Sequence, residues 1–426
     1  MPRQARPLPA TEALITALRH RLLPAVLTPM SADGRVDLAE LERYATRLLG
    51  DGRGGAACGA APQRASEMRT RPAGRGAPSD GVVRDAGAGA GGPRSSDAAA
   101  LGGSGADGGG GLSPAARDQS DVDGGEHGEP DAEGASRGEG DACGLGDADI
   151  LGGVAVWAHT GRGLRLARPD RLRVLDTFRQ ATALPIVAGV GVPAEGTGTS
   201  ADETVRMAVD AAEHGADAVM VYPPSALRGS VHRDAEVLRL HERVAEAVDR
   251  PVIGFYLHGE AGGYEYPPSL LAELSALPAV AGVKLATLDR AMACQDAIGE
   301  IRRHDRLAIT GEDRMFGPSL MWGADTALAG IAAARLDLTA SVLRSWNDGA
   351  HAAFQRDSAA LDRFAAVTFR SPIEGYVQRM FWAAVHEGLL SEHAAHDPFG
   401  PPLPPHERHA VSACLDVLPA RSRAAD

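Results

Sequence analysis

The sequence predicts an α/β fold: a TIM (β/α)8 barrel with a C-terminal helical extension and a long insert between the first helix and second strand. Eight short apolar runs alternate with helical segments. The runs are continuous rather than alternating, as in parallel strands buried on both faces. Without the insert, roughly 230 residues hold the eight units, which suits such a barrel. A doubly wound sheet is the alternative, but Thr28-Pro29-Met30 after the first strand is not a glycine-rich phosphate loop.

The predicted elements follow one another in a regular order. A polar extension, residues 1–20, contains a helical segment. The predicted strands are residues 22–28, 154–157, 185–190, 217–222, 251–256, 280–284, 307–311 and 326–331. The predicted helices are one capped by Asp37 that ends at Gly50 or Gly52, and residues 169–180, 201–214, 233–248, 268–275, 290–302 and 315–322. Residues 341–355, 359–369 and 373–387 add a helical cap, and a last helix follows a proline-rich break at 397–405.

The composition changes abruptly inside the chain. Residues 53–150 contain no Phe, Tyr or Trp and are dominated by Gly, Ala, Asp, Ser and Arg. Such a segment buries too little apolar surface to offset its conformational entropy, so we expect a disordered insert, on the barrel face opposite the catalytic mouth. The expected division is an extension (1–21), the first strand and helix (22–52), the insert (53–150), the remaining barrel (151–336) and the C-terminal helices and tail (337–426).

Charge and cysteine usage narrow the class of partner. The net charge of -13 argues against nucleic acid or an anionic membrane as a partner. Four cysteines without a CxxC pair or metal-type spacing suggest a reducing cytosol. We find neither a signal-peptide apolar region nor a run of about 18 apolar residues. We therefore expect a cytoplasmic protein that acts on a small molecule.

One lysine stands out, at the end of the predicted strand 280–284. Burial of an ammonium lowers its pKa, and the resulting free amine can attack a ketone to form an imine. Lys284 is therefore a candidate Schiff-base nucleophile, unless it reaches solvent from the strand end. Strand ends in a barrel meet at one face. The residues at those ends are Thr28, His159 with Thr160, Tyr222, Tyr256, Lys284, Gly311 with Glu312, and Leu328. The set lacks paired carboxylates for a metal, so no metal is expected.

Several short stretches, in order and spacing, resemble the dihydrodipicolinate synthase / N-acetylneuraminate lyase family of class I Schiff-base aldolases. The resemblance covers residues 22–50 and about 152–390. Its stretches are Leu27-Thr28-Pro29, Ala158-His159-Thr160-Gly161, Ala188-Gly189-Val190-Gly191, Gly215-Ala216-Asp217-Ala218, Phe255-Tyr256, Gly282-Val283-Lys284 and Thr310-Gly311-Glu312-Asp313.

The resemblance implies roles for individual residues. Lys284 resembles the imine-forming lysine, and Tyr256 resembles the tyrosine that shuttles protons. The loop with Thr160 takes the place of the family's Gly-Thr-Thr-Gly loop, which holds the keto-acid carboxylate. Main-chain contacts to the keto acid would come from Gly311 and Leu328. The family needs no cofactor and implies a homo-oligomer, a tetramer or a dimer.

The departures from the family pattern matter as well. His159 replaces the first threonine of the loop, where an imidazole could relay protons or merely fill space. The second tyrosine is missing from Pro224-Ser225-Ala226, and residues 256–261 lack the arginine that the synthase uses for its aldehyde substrate. Lysine-pathway condensation is therefore not expected. His258, at the mouth, is expected to contact a different substrate, unless it is ordinary loop polarity.

The sequence thus predicts a Schiff-base lyase that acts on a 2-keto acid such as pyruvate, by aldol chemistry or dehydration. One alternative is a family-derived barrel that has lost catalysis and serves as a binding or regulatory protein. Another is an enzyme that uses Glu312 or Asp313 as a general base without an imine. If so, the two carboxylates would do more than cap a helix.

Overall fold

Eight parallel strands form one sheet in a computed structural model that describes residues 6–50, 149–193 and 200–420. The strands are β1 (Leu22–Pro24), β2 (Val154–Val156), β3 (Ile186–Val190), β4 (Ala218–Val221), β5 (Val252–Leu257), β6 (Val280–Ala286), β7 (Leu307–Thr310) and β8 (Thr326–Ala329). Their order is β1-β8-β7-β6-β5-β4-β3-β2, and bridges from Leu22 to Leu151 and from Ala25 to Ala155 join the two ends. The predicted (β/α)8 barrel is confirmed.

Twelve α-helices of at least six residues lie in the described ranges. They are α1 (Pro9–Leu18), α2 (Leu38–Leu49), α3 (Arg168–Ala181), α4 (Ser200–Glu213), α5 (Arg233–Ala247), α6 (Pro268–Ala276), α7 (Ala291–Arg302), α8 (Phe316–Met321), α9 (Leu336–Asn347), α10 (His351–Thr368), α11 (Tyr376–His386) and α12 (Pro405–Asp416). None of the helices in the described part of the chain is long and apolar enough to cross a membrane. The predicted insert, residues 53–150, lies outside the described residues except for its last two.

The first helix of the barrel, α2, shows how the local sequence sets the point where a helix begins. The side chain of Asp37 accepts a hydrogen bond from the backbone N–H of Glu40 at 2.9 Å, which confirms the predicted N-cap of α2. Tyr44, at the buried face of α2, donates from its hydroxyl to the carbonyl oxygen of Ala333 at 2.8 Å. This bond joins the first helix of the barrel to the segment that follows the last strand.

One predicted helix break was wrong. The sequence predicts separate helices at residues 341–355 and 359–369, whereas α10 runs unbroken through both 355 and 359. The break lies earlier, between Asn347 and His351, where Gly349 has a φ of 66°. Glycine adopts this left-handed conformation at little cost and commonly ends a helix.

The core divides into two apolar clusters, one inside the barrel and one between strands and helices. The inner cluster includes Leu23, Ala25, Ala155, Val187, Met220, Ile253, Phe255, Leu257, Ile309 and Leu328. The outer cluster includes Val156, Val219, Val252, Tyr256, Val283 and Leu285, together with the inward faces of the helices. Successive residues of a strand point to opposite faces, so cluster membership shows which side chains face the barrel interior.

The C-terminal helices bring new side chains to the barrel. Helix α12 packs against both α10 and α11. Arg379, fully buried on α11, donates to Glu407 of α12 at 2.6 Å and to carbonyl oxygens of residues 368–372. These bonds anchor the segment that precedes α11, which contributes Glu374 and Tyr376 to the site described next.

Candidate active site

Lys284 lies on β6 inside the barrel. The residue is only 6% exposed, so it does not reach solvent from the strand end. It pairs in register with Phe255 of β5 and Ile309 of β7, and its Nζ lies 4.4 Å from the centre of the Phe255 ring. A Cβ atom on Gly311 would collide with Cε of Lys284, so the absence of a side chain there makes room for the lysine.

The pKa of the Lys284 amine lies well below that of an ordinary lysine. Burial lowers the pKa of Lys284 to about 8, against the opposing influence of the Asp313 and Glu312 carboxylates. Burial also raises the pKa of Asp313 to about 7, although its Oδ1 accepts a hydrogen bond from the N–H of Ile331 at 2.8 Å. About one tenth of the amine is therefore free of its proton at pH 7, far more than for an ordinary lysine.

The composition of the chain makes this position distinctive. Lys284 is the only lysine in the 426-residue sequence, and every other basic side chain except histidine is arginine. Arginine stays protonated at all relevant pH values and cannot form an imine. The one primary amine among the side chains is thus found inside the barrel, a signal that counting lysines in the sequence would have revealed.

A small cavity opens above the lysine. Its volume of about 60 Å³ is enough for a molecule of a few non-hydrogen atoms. The cavity brings together five of the predicted site residues: His159, Thr160, His258, Lys284 and Gly311. Leu328 is not among the lining residues, although its carbonyl oxygen would lie 3.1 Å from a Cβ atom on Gly311; Gly330 lines the cavity instead.

The predicted position of Tyr256 was wrong. Tyr256 pairs in register with Leu285 rather than Lys284, and both belong to the outer cluster. Its ring stacks on that of Tyr266 at 5.6 Å, and it does not line the cavity. The residue of β5 that does face the lysine is Phe255, which has no hydroxyl. Tyr256 therefore lies outside the wall of the cavity that Lys284 borders.

The loop after β2 is held firmly at the cavity. The hydroxyl of Thr28 donates to the carbonyl oxygen of Gly161 at 2.8 Å, and His159–Gly161 forms one turn of 3-10 helix. A Cβ atom on Gly161 would lie 2.7 Å from the carbonyl oxygen of Val26, so this close approach requires glycine. Thr160, 3% exposed, is thereby placed in the cavity wall with its hydroxyl 3.2 Å from that of Tyr376.

A charged cluster borders the cavity beside this loop. Nε2 of His159 lies 3.0 Å from a carboxylate oxygen of Glu374. Buried Arg162 donates to Glu374 at 2.5 Å and to fully buried Asp397 at 2.7 Å. Burial opposes the charge of Glu374, but the hydrogen bond from His159 and the charges of His159 and Arg162 bring its pKa down to about 2. Glu374 is therefore a carboxylate at every working pH, and it holds the His159 ring in place.

His258, also in the cavity wall, has a different character. Burial lowers its pKa to about 4, so the ring is neutral at pH 7. Its Nδ1 is buried and finds no hydrogen-bond partner within the described residues. A neutral imidazole with a free nitrogen can donate to or accept from a bound ligand.

The two carboxylates after β7 turn toward the site rather than capping the next helix. Glu312 accepts a hydrogen bond from the N–H of Thr287 at 2.6 Å. The N-cap position of α8 is Met315, and no side-chain hydrogen bond caps the start of this helix. Burial raises the pKa of Glu312, with the hydrogen bonds from Thr287 opposing it. Among the residues that the structure describes, no group of three His, Cys, Asp or Glu side chains is arranged to hold a metal ion.

A larger cavity of about 600 Å³ adjoins the first one, and the two share His159, Leu257, Ala261, Ile373 and Glu374 in their walls. Tyr222 lies in the wall of this second cavity only. The residues of the smaller cavity that were not foreseen from sequence include Phe255, Glu374 and Tyr376. Two of them come from the C-terminal segment, which carries no local motif.

Comparisons with known proteins agree with this architecture. The sequence profile described as the dihydrodipicolinate synthetase family matches residues 149–417. The chain is 30% identical over 141 residues to a probable mitochondrial 4-hydroxy-2-oxoglutarate aldolase of Emericella nidulans, covering 32% of this chain and 43% of that protein. It is 25% identical over 199 residues to a 4-hydroxy-tetrahydrodipicolinate synthase of Methanosphaerula palustris, covering 46% of this chain and 64% of that protein. The chain thus spans about half the length of the curated relatives it matches.

Solved structures share the fold at low identity. YagE of E. coli K12, a prophage protein of the dihydrodipicolinic acid synthase family in complex with pyruvate, has a TM-score of 0.61 at 16% identity, over 93% of this chain and 97% of that one. An N-acetylneuraminate lyase from Mycoplasma synoviae has a TM-score of 0.58 at 14% identity, over 94% of this chain and 98% of that one. At this identity the likeness shows the barrel fold alone.

Proposed function

Since the chain belongs to the dihydrodipicolinate synthetase family, we propose that it is a class I aldolase-type lyase that forms an imine between Lys284 and a 2-keto acid. The observation that carries the proposal is the placement of the chain's only lysine. That amine is buried in the barrel with a pKa near 8, beside a cavity sized for a small molecule. An unprotonated amine in such a place is a nucleophile for a carbonyl carbon.

The geometry supports a defined order of events. The Lys284 amine adds to the keto carbon, and loss of water from the adduct leaves an iminium. In aldol cleavage the positive nitrogen draws the electrons of the carbon–carbon bond one carbon further out, which releases an aldehyde and leaves an enamine. In a dehydration it draws the electrons of a C–H bond on the carbon next to the imine, and the resulting enamine expels the hydroxyl group of the following carbon, which takes up a proton and leaves as water. Hydrolysis of the imine returns the amine and releases the remaining keto acid.

Several cavity residues suit the binding of a keto acid. His159 and Thr160 of this turn line the cavity, and the hydroxyl of Thr160 can donate to a carboxylate. The backbone of Gly311 lies against the lysine, where the family resemblance places a main-chain contact. His258 offers its free nitrogen to the remainder of the substrate, and the His159–Glu374 pair can relay a proton from the adjoining cavity.

The relatives favour lyase chemistry over the other readings. Two of the curated relatives are named aldolases, the one from Emericella nidulans and an L-threo-3-deoxy-hexylosonate aldolase of Aspergillus niger. A barrel that serves only as a binding or regulatory protein is not favoured, because burial of the Lys284 ammonium costs stability that binding alone would not require. We further propose a homo-oligomer that acts in the cytoplasm and contacts neither nucleic acid nor membrane.

A substrate screen tests the proposed function. Purified protein is incubated with a panel of 4-hydroxy-2-keto acids, and release of pyruvate or of an aldehyde is followed with coupled dehydrogenases. We expect turnover of at least one compound by the native chain and none by Lys284→Met. Equal activity of the two proteins would contradict an imine mechanism and would favour Glu312 or Asp313 as a base acting alone.

A further inference from the structure

The imine chemistry needs a group that moves protons at the substrate, and β5 does not supply one. The side chain of β5 that faces Lys284 is Phe255, and the phenol of Tyr256 is on the other side of the strand. Phenylalanine cannot give or take a proton. The group that does so must come from another element of the cavity wall.

Tyr376 is the one tyrosine among the described residues that line the Lys284 cavity. It begins α11, outside the strand–helix repeats of the barrel, and is 9% exposed. Its ring stacks on Phe369 at 4.7 Å between centroids and on His159 at 5.9 Å. These contacts fix the ring, and the hydroxyl lies 3.2 Å from Oγ1 of Thr160.

The surroundings of that hydroxyl leave it open toward the cavity that Lys284 also lines. A Cβ atom on Gly330 would lie 2.8 Å from Oγ1 of Thr160 and 3.5 Å from Cε2 of Tyr376, so the missing side chain leaves both groups uncovered toward the cavity. Asp313, whose charge acts on Lys284, acts on Tyr376 as well. The phenol, the threonine and the amine therefore border one small space.

We propose that Tyr376, presented from α11, is the catalytic phenol that exchanges protons with the substrate carried on Lys284. The proposal rests on the imine mechanism proposed above and adds the residue that performs its acid–base steps. The C-terminal helices then supply part of the active site rather than only covering the barrel. Burial raises the pKa of Tyr376 well above its ordinary value, so it holds its proton before a substrate arrives.

The proton balance closes with one phenol. The phenol gives its proton to the hydroxyl of the adduct, and the C–O bond breaks. Water departs, and an iminium and a phenolate remain. In aldol cleavage the phenolate takes the proton of the hydroxyl on the far carbon of the bond that breaks, and that carbon becomes the carbonyl carbon of the released aldehyde. The electron pair of that carbon–carbon bond moves to the iminium and forms an enamine. Protonation of the enamine carbon by the phenol and hydrolysis of the imine complete the cycle.

Pyruvate in D2O isolates these proton transfers from the choice of second substrate. Exchange of the methyl protons requires the imine and a base that removes a proton next to it, and NMR follows the exchange directly. Tyr376→Phe keeps the ring and its stacking but loses the hydroxyl. Tyr256→Phe, a control, removes a phenol from the outer face of β5. Borohydride trapping of each protein with pyruvate, read by mass spectrometry, reports whether the imine still forms.

We expect exchange at saturating pyruvate to fall at least about 100-fold in Tyr376→Phe, the usual contribution of general acid–base catalysis, while Tyr256→Phe exchanges at the native rate. The Tyr376→Phe protein should still yield a trapped adduct after long incubation. Native-rate exchange in Tyr376→Phe would overturn the proposal. It would be overturned in favour of Asp313 if Asp313→Asn lost exchange while Tyr376→Phe kept it. If the native protein gives no adduct at all, the proposed function itself fails.

Discussion

Replacement of Lys284 by methionine should make the protein more stable at pH 7. An ordinary lysine has a pKa of 10.5, and burial brings that of Lys284 down to about 8. Each unit corresponds to about 1.4 kcal/mol, so the charged form is destabilised in the fold by roughly 3 kcal/mol. Methionine has a similar length and carries no charge to desolvate. Its sulfur can also pack on the Phe255 ring, where Nζ now lies 4.4 Å from the centre.

One effect reduces the gain. Without the ammonium, Asp313 loses a favourable neighbour, and its pKa of about 7 rises further, so that it is mostly neutral in the variant. We therefore expect a net stabilisation of about 1–3 kcal/mol at pH 7, smaller than the full burial cost of the ammonium. Urea unfolding of both proteins, followed by circular dichroism, measures this difference.

The pH dependence gives the sharper test. Between the folded pKa of about 8 and the unfolded pKa of 10.5, the unfolded chain binds more protons at Lys284 than the folded chain does. The free energy of unfolding of the native protein therefore rises with pH in this window, relative to a variant without the lysine. The difference in the free energy of unfolding between Lys284→Met and the native protein should therefore shrink by about 2 kcal/mol between pH 7 and pH 9.5.

A matched control separates burial from loss of charge. Arg408 pairs with Glu392 at the surface, and both side chains are more than 40% exposed. Arg408→Met should change stability by less than about 1 kcal/mol, with no trend between pH 8 and pH 9.5. A Lys284→Met protein that is less stable than native at pH 7, or a gap that does not vary with pH, would refute the account of a desolvated amine.

Three further predictions concern the same site. The rate at which pyruvate forms a borohydride-trappable adduct should rise about tenfold per pH unit below pH 8 and level off above it, because the amine must lose its proton; a flat rapid-quench profile would contradict this. Asp397→Asn should lower the free energy of unfolding by about 3 kcal/mol in urea, because the buried Arg162 loses the charge of one of its two carboxylate partners; a change below 1 kcal/mol would contradict this. Gly311→Ala should abolish adduct formation by displacing Lys284, whereas Gly299→Ala, in open space on α7, should leave it intact by mass spectrometry.

The strands could be predicted well from sequence because each one is a short, continuous apolar run. Such a run has few structural options, and eight of them separated by helices fit a closed parallel sheet. The position of Lys284 followed from the same reasoning, because the carboxyl ends of all strands in a barrel lie at the same end of it. The order of elements along the chain carried this information.

The side of the strand on which each residue lies could not be predicted from the sequence in the same way. In β5 (Val252–Leu257) nearly every residue is apolar, so no alternation marks the inner side. A shift of one residue in register moves each side chain to the opposite face. That single step separates Phe255, over the lysine, from Tyr256, among the helices. Pairing of β5 with β6 supplies the missing information.

The contribution of the C-terminal segment was beyond local sequence reasoning. Tyr376 and Thr160 are 216 residues apart in the chain but share a hydrogen bond. The apolar stripe of α11 predicts that one face is buried, without indicating which residue reaches the barrel mouth. Only the packing of α11 and α12 onto the barrel places Tyr376 beside the lysine.

Trapping with pyruvate and borohydride tests the central claim most directly, because the chain has one lysine. The account predicts that the native protein gains the mass of one pyruvic acid less one oxygen atom, that peptide mapping assigns the adduct to Lys284, and that Lys284→Met gains nothing there. A native protein that stays unmodified with pyruvate and with longer 2-keto acids, or an adduct confined to the N-terminal amine, would contradict it.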